Sequence, residues 1–261
     1  MPQIYQFSET EFLAFFLVMV RMTAFVVSWP VFGVPLVPSP LKILFGLILS
    51  LLVFPTLNIN AEYIGADLQS MTIVLLFVKE VFVGLSLGYL GRLFFYALSI
   101  AGEIISVSMG ISSAQLFNPS IEGQSSVTNQ FLIGVATLFF LAIQGHHLFL
   151  MALNQSFQIV PVSNHLISFS EFEHFGVIVQ QVMVIGLKMS APVLVAILFM
   201  NLVMAVIGRA VPQINVLITS LPVNILVGFI VMIVALPLIL AQMNDLLEVT
   251  AVNLFKILKT F

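Results

Sequence analysis

From Met71 to Met109 the chain has no proline and almost no break, and a single helix over that stretch would be roughly 58 Å long at about 1.5 Å per residue. The hydrocarbon core of a bilayer is only about 30 Å thick. Such a helix must bend, or project beyond the membrane and be sheltered there by other protein. Lys79, Glu80, Arg92 and Glu103 all fall inside it. An uncompensated charge at the bilayer centre costs several kcal/mol or more, so these four must face protein or water.

The rest of the chain points the same way. Of 261 residues, 61% are hydrophobic and 7% charged, against roughly 25% charged in ordinary soluble domains. A water-soluble monomer is excluded. Eight basic and eleven acidic residues, net −3, are scattered singly. No basic stripe exists to neutralise phosphates, so nucleic acid is not an expected partner. The absence of cysteine removes disulfides, thiolate metal sites and thiol catalysis. The opening MPQIYQFSET lacks a cationic n-region, and the apolar run after it carries Arg21, so that run is expected to be retained.

Ser8-Glu9-Thr10-Glu11 fits the capping box and predicts a helix start. Residues 12–29 are apolar apart from Arg21, and Pro30, Gly33, Pro35, Pro38 and Pro40 make residues 30–40 an irregular connector. Residues 41–54 form a block short for a span, which needs roughly 20 residues. Gly84, Gly88, Gly91 and Gly102 in the long helix permit close packing or bending, and Gly84-x-x-x-Gly88 is the small-residue contact pattern of membrane helices. Incidental glycines are the plain alternative. Residues 110–128 read as a loop, with Leu116 and Phe117 making it oddly apolar for solvent. Residues 131–153 read as a span interrupted at Gln144-Gly145-His146-His147. Residues 177–207 and 216–240 read as two long apolar helices joined by a hairpin turn at 208–215. The tail, 245–261, places Leu246, Val249, Val252, Phe255 and Leu258 at three-residue spacing, which predicts an interfacial or partner-bound amphipathic helix.

Arg92 and Glu103 are eleven residues apart, nearly the same helix face but about 16 Å further along, so they cannot pair directly. Lys79 and Glu80 point about 100° apart and are expected to find partners on other helices or subunits. Structural ion pairing is the plain reading of these groups, and a proton relay the sharper one. His146 and His147 project to different faces with no HExxH or carboxylate cluster beside them, so neither metal nor cofactor is expected. No G-x-S-x-G elbow, P-loop or dinucleotide fingerprint appears, and catalysis has no visible constellation.

Taken in order, several stretches resemble the FliR family of flagellar type III export-gate subunits. They are the Arg21 helix with its proline-rich exit and Lys42, then Phe77-Val78-Lys79-Glu80 leading to Gly84-Leu85-Ser86-Leu87-Gly88. Ala101-Gly102-Glu103 through Met109-Gly110-Ile111-Ser112 comes next, then Gly145-His146-His147-Leu148 and Arg209-Ala210-Val211-Pro212-Gln213-Ile214-Asn215. The resemblance implies an all-α membrane-assembly protein of long kinked helices and hairpins, non-enzymatic, in which residues 1–176 look like the gate subunit FliP. Residues 177–261 look like the two-helix subunit FliQ followed by the tail helix.

Its implied setting is the bacterial inner membrane and flagellar basal body, with much of the assembly projecting to the periplasmic side. One copy would sit with FliP-like and FliQ-like subunits, beside FlhB-like and FlhA-like components, and pass unfolded flagellar substrates. The loop at about 110–127 matches the family's pore plug, so Leu116, Phe117, Asn118 and Pro119 would help to seal the resting channel. Arg21, Lys79, Glu80, Arg92, Glu103 and Arg209 would be intramembrane or inter-subunit charges, and Pro212, Gln213 and Asn215 the hairpin turn. An injectisome gate subunit and a secondary transporter stay open as alternatives. A transporter would show matching interrupted segments in its two halves.

Overall fold

The computed structural model describes residues 8–30, 37–57, 70–112, 126–162 and 172–258, and every regular element among them is helical. Helix α1 (Glu9–Ser28) starts where the capping box predicts: Ser8 Oγ accepts from the Glu11 amide at 3.2 Å, and the Ser8 amide donates to Glu11 Oε2 at 2.9 Å. It stops at Trp29, before Pro30. Helix α2 (Ser39–Val53) opens with Pro40 in its first turn and runs into a 3-10 turn, Phe54–Thr56.

Helix α2 is inside out by the standards of a soluble protein. It buries Lys42, Gly46 and Ser50, which recur every fourth residue, while Leu41, Ile43, Leu44, Ile48, Leu51 and Leu52 are exposed. Gly46 lies against Thr23 of α1, where any side chain would collide. Small and polar groups packed inward with branched aliphatics outward suit an apolar surrounding medium, in which helices associate through close small-residue contact.

Helix α3 (Ser70–Met109) is the long helix, unbroken for 40 residues. It ends as a Schellman motif on Gly110, at φ 81°: the Gly110 amide donates to Val107 and the Ile111 amide to Ser106, both at 3.1 Å. Helix α4 (Val127–Ala142) is capped by Ser126, whose Oγ accepts from the Asn129 amide. Helix α5 (Gly145–Ile159) comes after it at a 66° bend. The expected interrupted span is therefore two half-helices. Gln144 is the cause, held in the left-handed region at φ 57°, ψ 28°.

Helix α6 (Phe172–Ala210) carries Pro192 within it, and α7 (Val216–Leu258) carries Pro222 and Pro237. The tail differs from expectation, because it is the last turns of α7 rather than a separate amphipathic helix. No glycine or proline between 238 and 258 stops the helix; of the predicted stripe Leu246 is buried within the chain and Val252 is exposed. Five helices are long and apolar enough to cross a membrane, or six if the bent α4–α5 pair is one span.

The chain forms two compact units, each discontinuous in sequence. One holds residues 1–93, 144–177 and 249–261, with Leu17, Phe25, Val83, Leu87, Phe149 and Leu153 in its core. The other holds residues 94–143 and 178–248 and includes the aromatic cluster of Phe94, Phe95 and Phe140, with ring centroids 5.1–5.8 Å apart.

Candidate functional site

Three of the charges named from the sequence converge in the first unit. Arg21 on α1 and Glu80 on α3 are both fully buried, and Lys79 is 1% exposed. Arg21 presents Nε to Glu80 Oε2 at 2.5 Å and Nη2 to Glu80 Oε1 at 3.0 Å, a bidentate pair. Its remaining donors are almost spent too: Nη1 donates to Ser156 Oγ at 3.1 Å and Nη2 also to the Val160 carbonyl at 2.9 Å. The guanidinium carbon lies 4.2 Å from the centre of the Phe157 ring. Lys79 spends all three of its donors, on Glu80 Oε1 at 3.2 Å and the carbonyls of Pro161 at 2.8 Å and Val162 at 3.1 Å.

Local sequence explains why those carbonyls are available. Helix α5 ends at Ile159, where the Val160 amide donates to the Ser156 carbonyl at 2.8 Å, and because Pro161 supplies no N–H the ladder stops there, leaving the Val160, Pro161 and Val162 carbonyls beyond the helix to accept from side chains. Two cations and one carboxylate leave the cluster at about one net positive charge, set against a helix end that carries roughly −0.5 of a charge. Near-complete hydrogen bonding is what makes so much buried charge tolerable, because a buried ion costs several kcal/mol to dehydrate. The sequence predicts that adjacent Lys79 and Glu80 seek partners elsewhere. They find them on α1 and beyond α5 of the same chain, and the two head groups also touch each other.

Small residues bring α1 and α3 close enough for this. A Cβ on Gly84 would lie 2.5 Å from the Arg21 carbonyl oxygen and 2.8 Å from Ala24 Cβ, and one on Gly88 would overlap Ser28 Oγ. The Gly84-x-x-x-Gly88 pair is thus a contact surface, not an incidental feature.

Arg92 is half-buried and donates from Nη2 to the Val27 carbonyl at 3.2 Å, at the carboxyl end of α1. Glu103 belongs to the second unit and sits at the amino end of α4. Its Oε1 accepts from Asn129 Nδ2 at 2.8 Å and from the Ser126 amide and hydroxyl at 3.4 Å, a favourable place for a carboxylate. Gly102 permits the approach, since a Cβ there would lie 2.6 Å from Asn129 Cα.

Arg209 is exposed in the last turn of α6. Pro212 and Gln213 lie in the exposed turn between α6 and α7, and Asn215 caps α7 through Oδ1, accepting from the Ile218 amide at 3.4 Å. Leu116, Phe117, Asn118 and Pro119 lie outside the described residues. His146 and His147 lie at the start of α5 with ring centroids 4.2 Å apart and planes tilted by 53°. Among the described residues no three His, Cys, Asp or Glu side chains gather as a metal site.

Sequence reasoning names the charges but misses their partners. Ser156, Phe157, Ser126 and Asn129 carry no motif, and the carbonyls of Val160, Pro161 and Val162 carry no side-chain signal at all. Pro161 is the one usable hint, because it marks a helix end whose carbonyls need donors.

Fold and site together define a polytopic helical membrane protein whose buried charges are used to join helices. The chain belongs to the family described as Bacterial export proteins, family 1, which it matches over residues 12–250. It is 33% identical over 249 residues to the flagellar biosynthetic protein FliR of Bacillus subtilis (strain 168), covering 92% of each chain. It is 30% identical to the FliR of Aquifex aeolicus (strain VF5), over 98% of this chain and 95% of that one. To the FliR of Escherichia coli (strain K12) it is 24% identical, over 86% and 85%.

Proposed function

We propose that the chain is a non-enzymatic core subunit of the flagellar type III export gate in the bacterial inner membrane, forming part of the channel through which unfolded flagellar substrates cross that membrane. The observation that carries this reading is the match to bacterial export proteins over residues 12–250, together with FliR relatives of nearly the same extent. The interior chemistry supports it. The charges of the described core are engaged in helix-to-helix contacts, as suits a scaffold.

On this reading residues 1–176 act as a FliP-like unit and 177–261 as a FliQ-like hairpin and C-terminal helix, so that one copy completes a shell of FliP-like subunits with FliQ-like hairpins packed outside. FlhB-like and FlhA-like components are its further neighbours. The apolar stretch around Leu116 and Phe117 serves as the plug, because a constriction lined by apolar side chains dewets and blocks ions.

Co-expression with FliP-like and FliQ-like subunits tests the reading. A single complex holding one copy of this chain is expected. A chain that purifies as a stable lone monomer in their presence overturns it.

A further inference from the structure

Glu80 and Glu103 are the two carboxylates of α3, and the chain treats them differently. Glu80 gives both oxygens to cations, Oε2 to Arg21 and Oε1 to Arg21 and Lys79. Glu103 meets no cation among the described residues. Its hydrogen bonds there all fall on Oε1, from Asn129 Nδ2 at 2.8 Å and from the Ser126 amide and hydroxyl at 3.4 Å, and Oε2 accepts from none of the described residues. Half of the carboxylate is therefore unspent.

The surface around Glu103 is apolar. Val107 is one turn further along the same face of α3, Val127 follows Ser126 directly and Phe131 lies one turn on along α4, and all three are exposed. A half-buried carboxylate with such a rim is costly to cover unless it is paired, because a dehydrated charge keeps its full penalty when no counter-charge meets it. The amino end of α4 offsets part of that cost but engages only one of the two oxygens. The carboxylate is also held in place, since Gly102 admits the α4 backbone beside it and Asn129 Nδ2 ties it to α4, so little ordering is left for a partner to supply.

We propose that Glu103 is a docking carboxylate, whose Oε2 receives the ammonium of a lysine from a neighbouring subunit while the stem of that lysine lies over Val107 and Val127. Lysine fits better than arginine. A guanidinium binds a carboxylate best through both oxygens, as Arg21 binds Glu80, and here one oxygen is already spent on α4, which suits a point charge. The four-carbon stem matches the apolar rim. A charge contact closed off by apolar groups that exclude water is the arrangement in which a single residue contributes most to an interface. The pair rests on the export-gate reading, because it needs neighbouring subunits, and it names one contact that holds them.

The test uses the complex purified with FliP-like and FliQ-like subunits. A carbodiimide condenses a carboxylate and an amine in contact into an amide with loss of water, and mass spectrometry is expected to find Glu103 joined to a lysine of another subunit. Glu103→Gln should abolish that product. Its amide oxygen still accepts from Asn129 and Ser126, so the unfolding midpoint of the full chain alone in detergent should not move, while the yield of complex should fall about tenfold. Glu103→Lys should prevent assembly, and a lysine-to-glutamate change at the cross-linked partner position should restore it. A Glu103→Gln complex at parental yield, an amide to Lys188 of the same chain, or no Glu103 product at all overturns the proposal. A lowered midpoint for Glu103→Gln also overturns it, because the charge would then serve the α3–α4 contact alone. If the parent chain forms no complex, the export-gate reading falls and this pair falls with it.

Discussion

Arg21 and Glu80, 59 positions apart in sequence, meet through two parallel hydrogen bonds in a space closed to solvent, and Lys79 beside them closes onto the end of α5. The Glu80 carboxylate holds both cations, and they in turn bind Ser156 and the carbonyls beyond α5, so three helical elements are joined. Removing that carboxylate leaves two buried cations facing each other, whereas removing Arg21 with it restores the cluster to a single positive charge.

The expected result is non-additivity. Glu80→Leu should cost about 3–5 kcal/mol, as breaking a buried pair does, and Arg21→Met/Glu80→Leu should cost less than the two single changes added together. Denaturant unfolding of the purified chain in detergent measures all three. Simple addition of the single effects would mean that the pair is not energetically coupled.

The fold is legible wherever backbone chemistry is written in side chains. The Ser8–Glu11 box, Pro30, Gly110 and the 208–215 turn each declare a helix end through a capping or breaking residue. The site is legible only in half. Buried charges announce themselves by their cost in an apolar helix, but in the bond from Lys79 to the Pro161 carbonyl, 82 positions on, the proline marks only a helix end and does not name the donor that reaches it. The tail shows the same gap from the other side: in its apolar stripe Leu246 is covered by the chain itself and Val252 is exposed, and spacing alone does not tell the two apart.

Glycine substitutions should have opposite signs at different sites. At Gly84 a methyl group would press on the Arg21 carbonyl oxygen, and backbone cannot rotate away, so Gly84→Ala should destabilise by about 1–3 kcal/mol. At Gly134, within α4, nothing lies within 4 Å, and Gly134→Ala should gain up to about 1 kcal/mol from helix propensity. Unfolding midpoints of the two variants check this. Equal shifts would show that α1 and α3 are free to move apart at no cost.

The break between α4 and α5 concentrates backbone strain at one residue. Gln144 holds a left-handed conformation that costs a side-chain-bearing residue about 1–2 kcal/mol and glycine almost nothing. Gln144→Gly should therefore preserve or raise stability, while Gln144→Val, β-branched and ill suited to that region, should lower it. Unfolding midpoints again decide. If valine is tolerated as well as glycine, the bend is not held by this residue.

Residues 113–125 are bounded by two anchors that do not depend on them. On one side α3 closes its end with the Gly110 and Ile111 amides. On the other, Ser126 caps α4 and bonds to Glu103, only seven residues before Gly110 on α3. Both anchors lie outside the segment and in the same unit, so a short Gly-Ser linker in place of 113–124 should leave α3 and α4 as they are. Complex yield should be unchanged. If Leu116 and Phe117 form a hydrophobic seal, the shortened complex should pass small ions in planar bilayers where the parent does not. Leu116→Ser/Phe117→Ser, which keeps the length and removes only the apolar surface, should leak in the same way. An assembled double-serine complex that stays as tight as the parent, alongside an equally tight deletion, assigns these residues to packing between subunits and removes the plug from the proposed mechanism.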